Sequence, residues 1–115
     1  MKNQALIRER YLQDDVPTRL GGLAANLSRI KSFSSHDANC ELVASLLDES
    51  KFFIEWTAAE TEIEIAAELV ELQIQLACWR QNWTELWADV VQRREIAEQS
   101  RRWSGRVLAM SGLLG

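Results

Sequence analysis

The sequence predicts an all-α protein, an antiparallel four-helix bundle with a short additional helix at its N-terminus. Two observations support this prediction. Between Leu23 and Ser104 the chain contains neither glycine nor proline, so the strongest helix breakers are missing from that stretch. Apolar residues within it recur at steps of three and four, which is the period of a helical face. At 115 residues the chain is long enough to bury the core of one bundle, and we expect residues 1–115 to form a single domain.

The first two helices are separated by an acidic pair and a proline. We expect a short helix at about residues 3–13 and a second helix at about residues 16–33. Asp14 and Asp15 lie between them, and carboxylates favour the positive end of a helix. Pro17 suits a first turn, because the N–H that it lacks would have no helical partner there. These residues therefore mark the start of the second helix.

Residues 36–81 allow two interpretations. Their apolar residues keep a single heptad phase, which suits one continuous helical rod. The residues in that phase are Leu42, Leu46, Phe53, Trp56, Ile63, Ala67, Val70, Ile74 and Ala77. However, Thr57 and Glu60 have the spacing of a capping box, in which a hydroxyl and a carboxylate each bind a free backbone N–H. We therefore prefer a turn near Thr57, with helices at about residues 36–56 and 58–80.

A second capping box, formed by Asn82 and Glu85, predicts another turn. The last helix then extends over about residues 84–111. Its apolar positions again follow helical steps, and Gly112 beyond it is a residue type that commonly ends a helix.

The fourth and the last helix carry opposite charges at helical spacing. Their charged residues are Glu60, Glu64, Glu68 and Glu71 on one, and Arg93, Arg94, Arg101, Arg102 and Arg106 on the other. A hairpin about residue 82 predicts the pairs Glu71 with Arg94, Glu64 with Arg101, and Glu60 with Arg106. Complementary flanks of this kind fix the orientation of helix pairs. We prefer ion pairs within the chain; ion pairs across a dimer, a solvated face, and phosphate binding by the arginines are the alternatives.

Five tryptophans are many for a chain of this length. Core filling is the preferred interpretation, because large aromatic side chains occupy wide spaces between helices. The alternatives are an anchor for a partner protein, since tryptophan is enriched at binding hot spots, and a pocket for a flat aromatic ligand. The candidate partner-binding residues are Trp79, Trp83, Trp87, Arg101, Arg102 and Trp103.

The sequence contains no pattern of residues that indicates catalysis. His36 is the only histidine, and no glutamate precedes it by three residues, as a four-helix di-iron site requires. Cys40 and Cys78 are too far apart in sequence to suggest a zinc motif. Whether they are neighbours depends on the turn near Thr57. A glycine-rich phosphate loop and a nucleophile elbow are also missing from the sequence. We therefore expect no enzyme activity, no metal and no cofactor.

Composition narrows the functional classes further. The net charge of −4 argues against nonspecific binding to nucleic acid or to anionic lipid. The first residues lack the apolar core of a signal peptide, and no apolar run approaches the roughly 20 residues of a membrane span. Two cysteines do not make a disulfide framework. These features lead us to expect a cytoplasmic protein that does not enter a membrane.

The functional hypothesis is a non-enzymatic helical protein-interaction or regulatory module. Its expected partner is another protein or a second copy of the chain, so a homodimer is included. One alternative is a small nucleic-acid-associated helical subunit that uses the arginine-rich last helix. Another is a binder of an aromatic cofactor or lipid through the tryptophan cluster.

Overall fold

The computed structural model describes residues 4–113, which form helices joined by short turns. The helices are α1 (Gln4–Leu12), α2 (Val16–Phe33), α3 (Cys40–Thr57), α4 (Ile63–Gln81), α5 (Trp83–Ala88) and α6 (Val90–Ser111), with single 3-10 turns at Asp37–Asn39 and Ala58–Glu60. The predicted all-α bundle with a short N-terminal helix is confirmed. The chain turns between residues 57 and 63, so residues 36–81 are not one rod. Residue 3, at the start of the predicted first helix, lies outside the described residues.

The four long helices pack in the spatial order α6, α2, α3, α4. The most extensive contact is between α2 and α6, followed by α2 with α3 and α3 with α4. Each neighbouring pair is antiparallel. Short turns join α2 to α3 and α3 to α4, and hydrogen bonds link these pairs from Asn26 Nδ2 to Glu49 Oε1 and from Gln73 Nε2 to the Lys51 carbonyl. Between α2 and α6, Ser104 Oγ donates to the Ala24 carbonyl, whereas Leu113, later in the chain, lies against Gly21, earlier in the chain. Because α4 packs mainly on α3, it lies at the edge of the bundle.

The core is built mainly from branched aliphatic side chains that recur at helical steps. The most deeply buried are Leu20, Leu23, Leu27, Ile30, Val43, Leu47, Ile54, Leu69, Leu72, Leu76, Ile96 and Val107. Burial of each such side chain contributes roughly 1.5–3 kcal/mol to the free energy of unfolding. The helices therefore owe their stability to this shared core more than to local propensity.

Helix α2 has the start that the sequence predicts. A carboxylate oxygen of Asp15 accepts a hydrogen bond from the Thr18 amide at 3.0 Å, and Pro17 lies in the first turn. Hydrogen bonds from the side chain of Thr18 and from its backbone amide hold the pKa of Asp15 below its usual value. Within α2, Gly21 is approached closely by the side chain of Leu113, since a Cβ at Gly21 would lie 2.7 Å from Leu113 Cδ1. Glycine in the middle of a helix costs about 1 kcal/mol relative to alanine, and at this position it leaves space for the side chain of Leu113.

The turn between α3 and α4 differs from the predicted capping box. Thr57 is the last residue of α3 and makes no capping bond, and α4 begins at Ile63 instead of residue 58. The carboxylate of Glu60 instead binds the guanidinium of Arg19, so it is not available to cap a helix. The Thr61 hydroxyl donates a hydrogen bond to the Ala58 carbonyl and closes the turn.

The predicted last helix, residues 84–111, is interrupted at Asp89. The interruption separates the short helix α5 from α6, and Asp89 has an extended backbone conformation. One oxygen of its carboxylate accepts hydrogen bonds from the amides of Val91 and Gln92 at 2.9 and 3.2 Å. Asp89 therefore caps the N-terminus of α6. By contrast, Asn82 makes no side-chain capping bond at the start of α5.

Candidate functional site

Helix α4 has two apolar faces, and only one of them is buried. The buried face consists of Leu69, Leu72, Leu76 and Trp79, with Ile65 packed beside it. The other face carries Ile63, Val70 and Ile74, whose side chains are 79%, 45% and 60% exposed. The exposed residues Ala67 and Ala77 complete this row. Ile63, Ala67, Val70, Ile74 and Ala77, which the sequence places in one heptad phase, therefore face away from the core.

A groove lies between α3 and α4, and the exposed row reaches it at Ile74 and Ala77. Its volume is about 1070 Å³, and α1 contributes Ile7 to its lining. The apolar side chains that line it from the two long helices are Leu42, Leu46, Phe52, Trp56, Ile74 and Ala77. We call this groove, together with the exposed row of α4, the α3–α4 face.

The aromatic part of the α3–α4 face is held in place by stacking. The rings of Phe52 and Trp56 stack with their centroids 5.6 Å apart. Behind them, Tyr11 stacks on Phe53 at 4.0 Å, and its ring also contacts Trp56 at 6.0 Å. The hydroxyl of Tyr11 donates a hydrogen bond to the Arg19 carbonyl at 2.7 Å. Burial raises the pKa of Tyr11 to about 12, so the phenol stays neutral in the folded chain.

Carboxylates flank the apolar part of the α3–α4 face at helical spacing, and Asp48 and Glu55 also line the groove. On α3 they are Glu41, Asp48 and Glu55, and on α4 they are Glu64 and Glu71, with seven-residue spacing on each helix. Among residues 4–113, two basic side chains pair with these carboxylates, both with Asp48: Arg80 Nε at 3.1 Å and Lys51 Nζ at 3.6 Å. Within residues 4–113, the other four carboxylates form no ion pair, and they are exposed. The face therefore combines apolar side chains with unneutralised negative charge.

The four tryptophans among the candidate partner-binding residues are buried, in agreement with core filling. Trp79 and Trp103 lie in the core, 9% and 5% exposed. The indole N–H of Trp83 donates to the Cys40 carbonyl at 3.0 Å, and that of Trp87 donates to the Asp37 carbonyl at 2.8 Å. These bonds tie α5 to the start of α3. The fifth tryptophan, Trp56, is only partly buried and lines the groove.

The two arginines among those candidates, Arg101 and Arg102, are exposed on α6. Both bind Glu98 one turn earlier, Arg101 Nη2 at 2.7 Å and Arg102 Nε at 3.2 Å. The hydrogen bond from Arg101 is the main cause that lowers the pKa of Glu98 to about 2. These arginines are therefore largely neutralised by their own helix, and the structure does not bring them together with the buried tryptophans in one accessible site.

The predicted row of ion pairs between the fourth and last helices is wrong in its register. Glu60 binds Arg19, and Arg101 binds Glu98. The ion pair that does join α4 to α6 is Glu68 with Arg106. The predicted register assumed that these two helices pack as one hairpin about residue 82, whereas α5 lies between them in the chain and α6 packs mainly on α2. Arg106 also lies over the ring of Trp103, 3.9 Å from its centroid.

The remaining reactive side chains do not form a site among residues 4–113. Cys40 is partly buried and Cys78 is exposed, and both are free thiols. His36 is exposed at the turn before α3. No three histidine, cysteine, aspartate or glutamate side chains of the described part of the chain lie close enough together to hold a metal ion.

In comparisons with known proteins, no protein-family model matches the chain, and no curated protein or solved structure matches it either. No helix within residues 4–113 is both long and apolar enough to cross a lipid bilayer. The function is therefore inferred from the chemistry of the chain's own surface, of which the α3–α4 face is the most distinctive part.

Proposed function

We propose that this chain is a non-enzymatic helical interaction module, and that its partner protein binds to the α3–α4 face. The observation that carries the proposal is the exposed apolar row on α4. Isolated exposed apolar residues are common on protein surfaces, but a contiguous apolar patch with a polar rim is typical of a binding site. Here Val70 lies one helical turn before Ile74, and Ile74 lines the groove together with Trp56 and Leu46.

The spacing of the row indicates the shape of the partner. Steps of four, three, four and three residues produce the apolar row that one helix presents to another in helix pairs. The groove beside it is the kind of surface into which an amphipathic helix lays its apolar side chains. Trp56 supplies an amphipathic, partly buried aromatic ring of the type that anchors such contacts.

The arginine-rich surface of α6 is less suited to a binding role. Arg101 and Arg102 bind Glu98, Arg106 binds Glu68, and Arg93 donates to the Trp87 carbonyl at 3.0 Å. A phosphate backbone would have to compete with these partners. We therefore prefer a protein partner to a nucleic acid. The same proposal retains the cytoplasm as the location, because its reducing conditions suit the free thiols of Cys40 and Cys78.

Site-specific photo-crosslinking in living cells that express the protein tests this proposal. A photoreactive phenylalanine derivative is placed at Val70 or at Ile74, and, as a matched control, at the exposed Gln92 on α6. We expect discrete crosslinked protein products from positions 70 and 74 that are missing from position 92. The proposal is wrong if positions 70 and 74 give no crosslinked protein in excess of the control while the variants remain folded by circular dichroism.

A further inference from the structure

We propose that the occupant of the α3–α4 face is a basic amphipathic α-helix of another protein. This inference rests on the proposed function and specifies the chemistry of the partner. It combines the apolar surface, the unneutralised carboxylates around it, and the electrostatic consequence of placing a second copy of this chain there.

The apolar row sets the length of the helix. From Ile63 to Ala77 the row advances fourteen residues along α4, which is about 21 Å at 1.5 Å per residue. A partner helix of about two heptads covers that length. Its apolar residues follow steps of three and four, and the 1070 Å³ groove accepts its larger side chains beside Leu46 and Trp56.

The carboxylates set the charge of the helix. Glu41 and Glu55 on α3, and Glu64 and Glu71 on α4, are exposed and form no ion pair with residues 4–113. In helix pairs, residues that flank the apolar row determine which partner is accepted. Lysine or arginine on both flanks of the incoming helix would neutralise these four groups. An acidic helix would add repulsion at each of them.

The same charges oppose a second copy on this face. A two-fold dimer places the same surface of both chains in contact, so the glutamates of one copy would meet those of the other. The chain's own exposed arginines lie on α1, α2 and α6, and on α6 Arg101 and Arg102 are already bound to Glu98. Contact between α6 of one copy and the α3–α4 face of another would join two different surfaces, and such contacts form rings or open chains. Anionic lipid is disfavoured by the same negative charge.

The test uses three peptides of about 21 residues with blocked ends and a fluorophore. The first has leucine at the a and d positions of each heptad and lysine at e and g. The second replaces every lysine with glutamate. The third keeps the composition of the first but scatters its leucines around the helix. Fluorescence anisotropy measures the Kd of each peptide for the full chain at about 0.15 M salt and at higher salt.

We expect the lysine peptide to bind, with a Kd that rises with salt, and the other two to bind at least about tenfold more weakly. Replacing Glu41, Glu55, Glu64 and Glu71 with glutamine should raise the Kd of the lysine peptide about tenfold, at roughly twofold for each exposed pair. Ile74→Gln should raise it by a similar factor through lost apolar contact. The control variant Glu85→Gln with Glu95→Gln changes charge on α5 and α6 and should leave the Kd unchanged.

The inference is overturned if the glutamate peptide binds as tightly as the lysine peptide, or if the quadruple variant and Ile74→Gln leave binding unchanged. It is also overturned if sedimentation equilibrium shows a dimer that Ile74→Gln dissociates, which would make the occupant a second copy. After any of these three outcomes, crosslinks from positions 70 and 74 to a protein would still support the proposed function. The loss of those crosslinks would instead contradict the proposed function itself.

Discussion

Arg19 and Glu60 join the start of α2 to the turn between α3 and α4. Nη1 of Arg19 lies 2.6 Å from Oε2 of Glu60, although the residues are 41 positions apart in sequence. The Arg19 side chain is 8% exposed, whereas that of Glu60 is 52% exposed. The same guanidinium donates from Nε to the Asp14 carbonyl at 2.9 Å and from Nη2 to the Leu12 carbonyl at 3.3 Å. One side chain therefore holds two separate turns of the chain together.

Replacing Arg19 with methionine should lower the free energy of unfolding by about 2 kcal/mol, because two carbonyls lose a charged donor. The loss of the ion pair itself adds little, since Glu60 is half-exposed and screened by solvent. Urea denaturation of the wild type and the variant measures the difference. Arg102→Met is the control, because it removes an exposed ion pair and should leave the denaturation midpoint unchanged. Equal midpoints for the wild type and Arg19→Met would contradict a stabilising role for Arg19.

Tyr11 should make the folded chain sensitive to alkaline pH. Its pKa is raised to about 12 in the folded chain, whereas an unfolded tyrosine titrates near 10. The folded chain therefore keeps a proton that the unfolded chain loses, so this contribution to stability is complete below pH 10 and is lost as pH rises from 10 to 12. Because Tyr11 is the only tyrosine, the near-ultraviolet absorbance of its phenolate reports the pKa directly.

Tyr11→Phe is the matched control for this titration. It keeps the ring that stacks on Phe53 and removes the hydrogen bond to the Arg19 carbonyl. We expect it to cost about 1 kcal/mol at neutral pH and to remove part of the fall in stability between pH 10 and 12. A phenolate midpoint near pH 10 in the folded wild type would show that Tyr11 is not buried as described.

Asp89 should stabilise α6 by capping its first turn. Asp89→Ala leaves the amides of Val91 and Gln92 without their side-chain acceptor, and such a change typically costs about 1 kcal/mol. Asn82→Ala is the comparison, because Asn82 precedes α5 without a side-chain capping bond and should have a much smaller effect. Thermal unfolding of both variants followed by circular dichroism gives the two differences. An equal loss of stability in both would indicate that the interruption at Asp89 does not depend on its cap.

The order and type of the long helices can be predicted from sequence because they depend on residues close together along the chain. These local features are the missing glycine and proline, the steps of three and four between apolar residues, and the pair of Asp15 with Pro17. The prediction of a capping box at Thr57 and Glu60 was wrong because it depends on a residue that is distant in the chain. Its carboxylate is bound by Arg19, a partner 41 residues away that local spacing does not reveal. The interruption at Asp89 has a local signal, because aspartate is a preferred N-cap residue, but the continuous apolar spacing on both sides favoured an unbroken helix.

The α3–α4 face could be predicted only in part. The heptad phase identified Val70 and Ile74, but spacing alone does not show whether an apolar row meets its own core or another molecule. Helix α4 carries a second row, Leu69, Leu72, Leu76 and Trp79, and the fold buries that one. Trp56 was assigned to the core along with the other tryptophans. Apolar residues on most sides of the helix around Phe52 and Trp56 were the available signal that this segment has neighbours on more than one side.

Alanine substitution should destabilise the chain strongly in the buried row of α4 and hardly at all in its exposed row. Leu76→Ala removes a fully buried side chain and should cost about 3 kcal/mol, in the usual range for such core truncations. Ile74→Ala, two residues earlier, removes a side chain that is 60% exposed and should change the free energy of unfolding of the isolated chain by less than about 0.5 kcal/mol. Chemical denaturation of both variants measures the contrast, and helix propensity cannot produce it, since alanine is the better helix former in each case. If Ile74→Ala were as destabilising as Leu76→Ala, residue 74 would belong to the core. A near-neutral effect of Ile74→Ala would show that the Ile74 side chain is not needed for the core and can contact a partner.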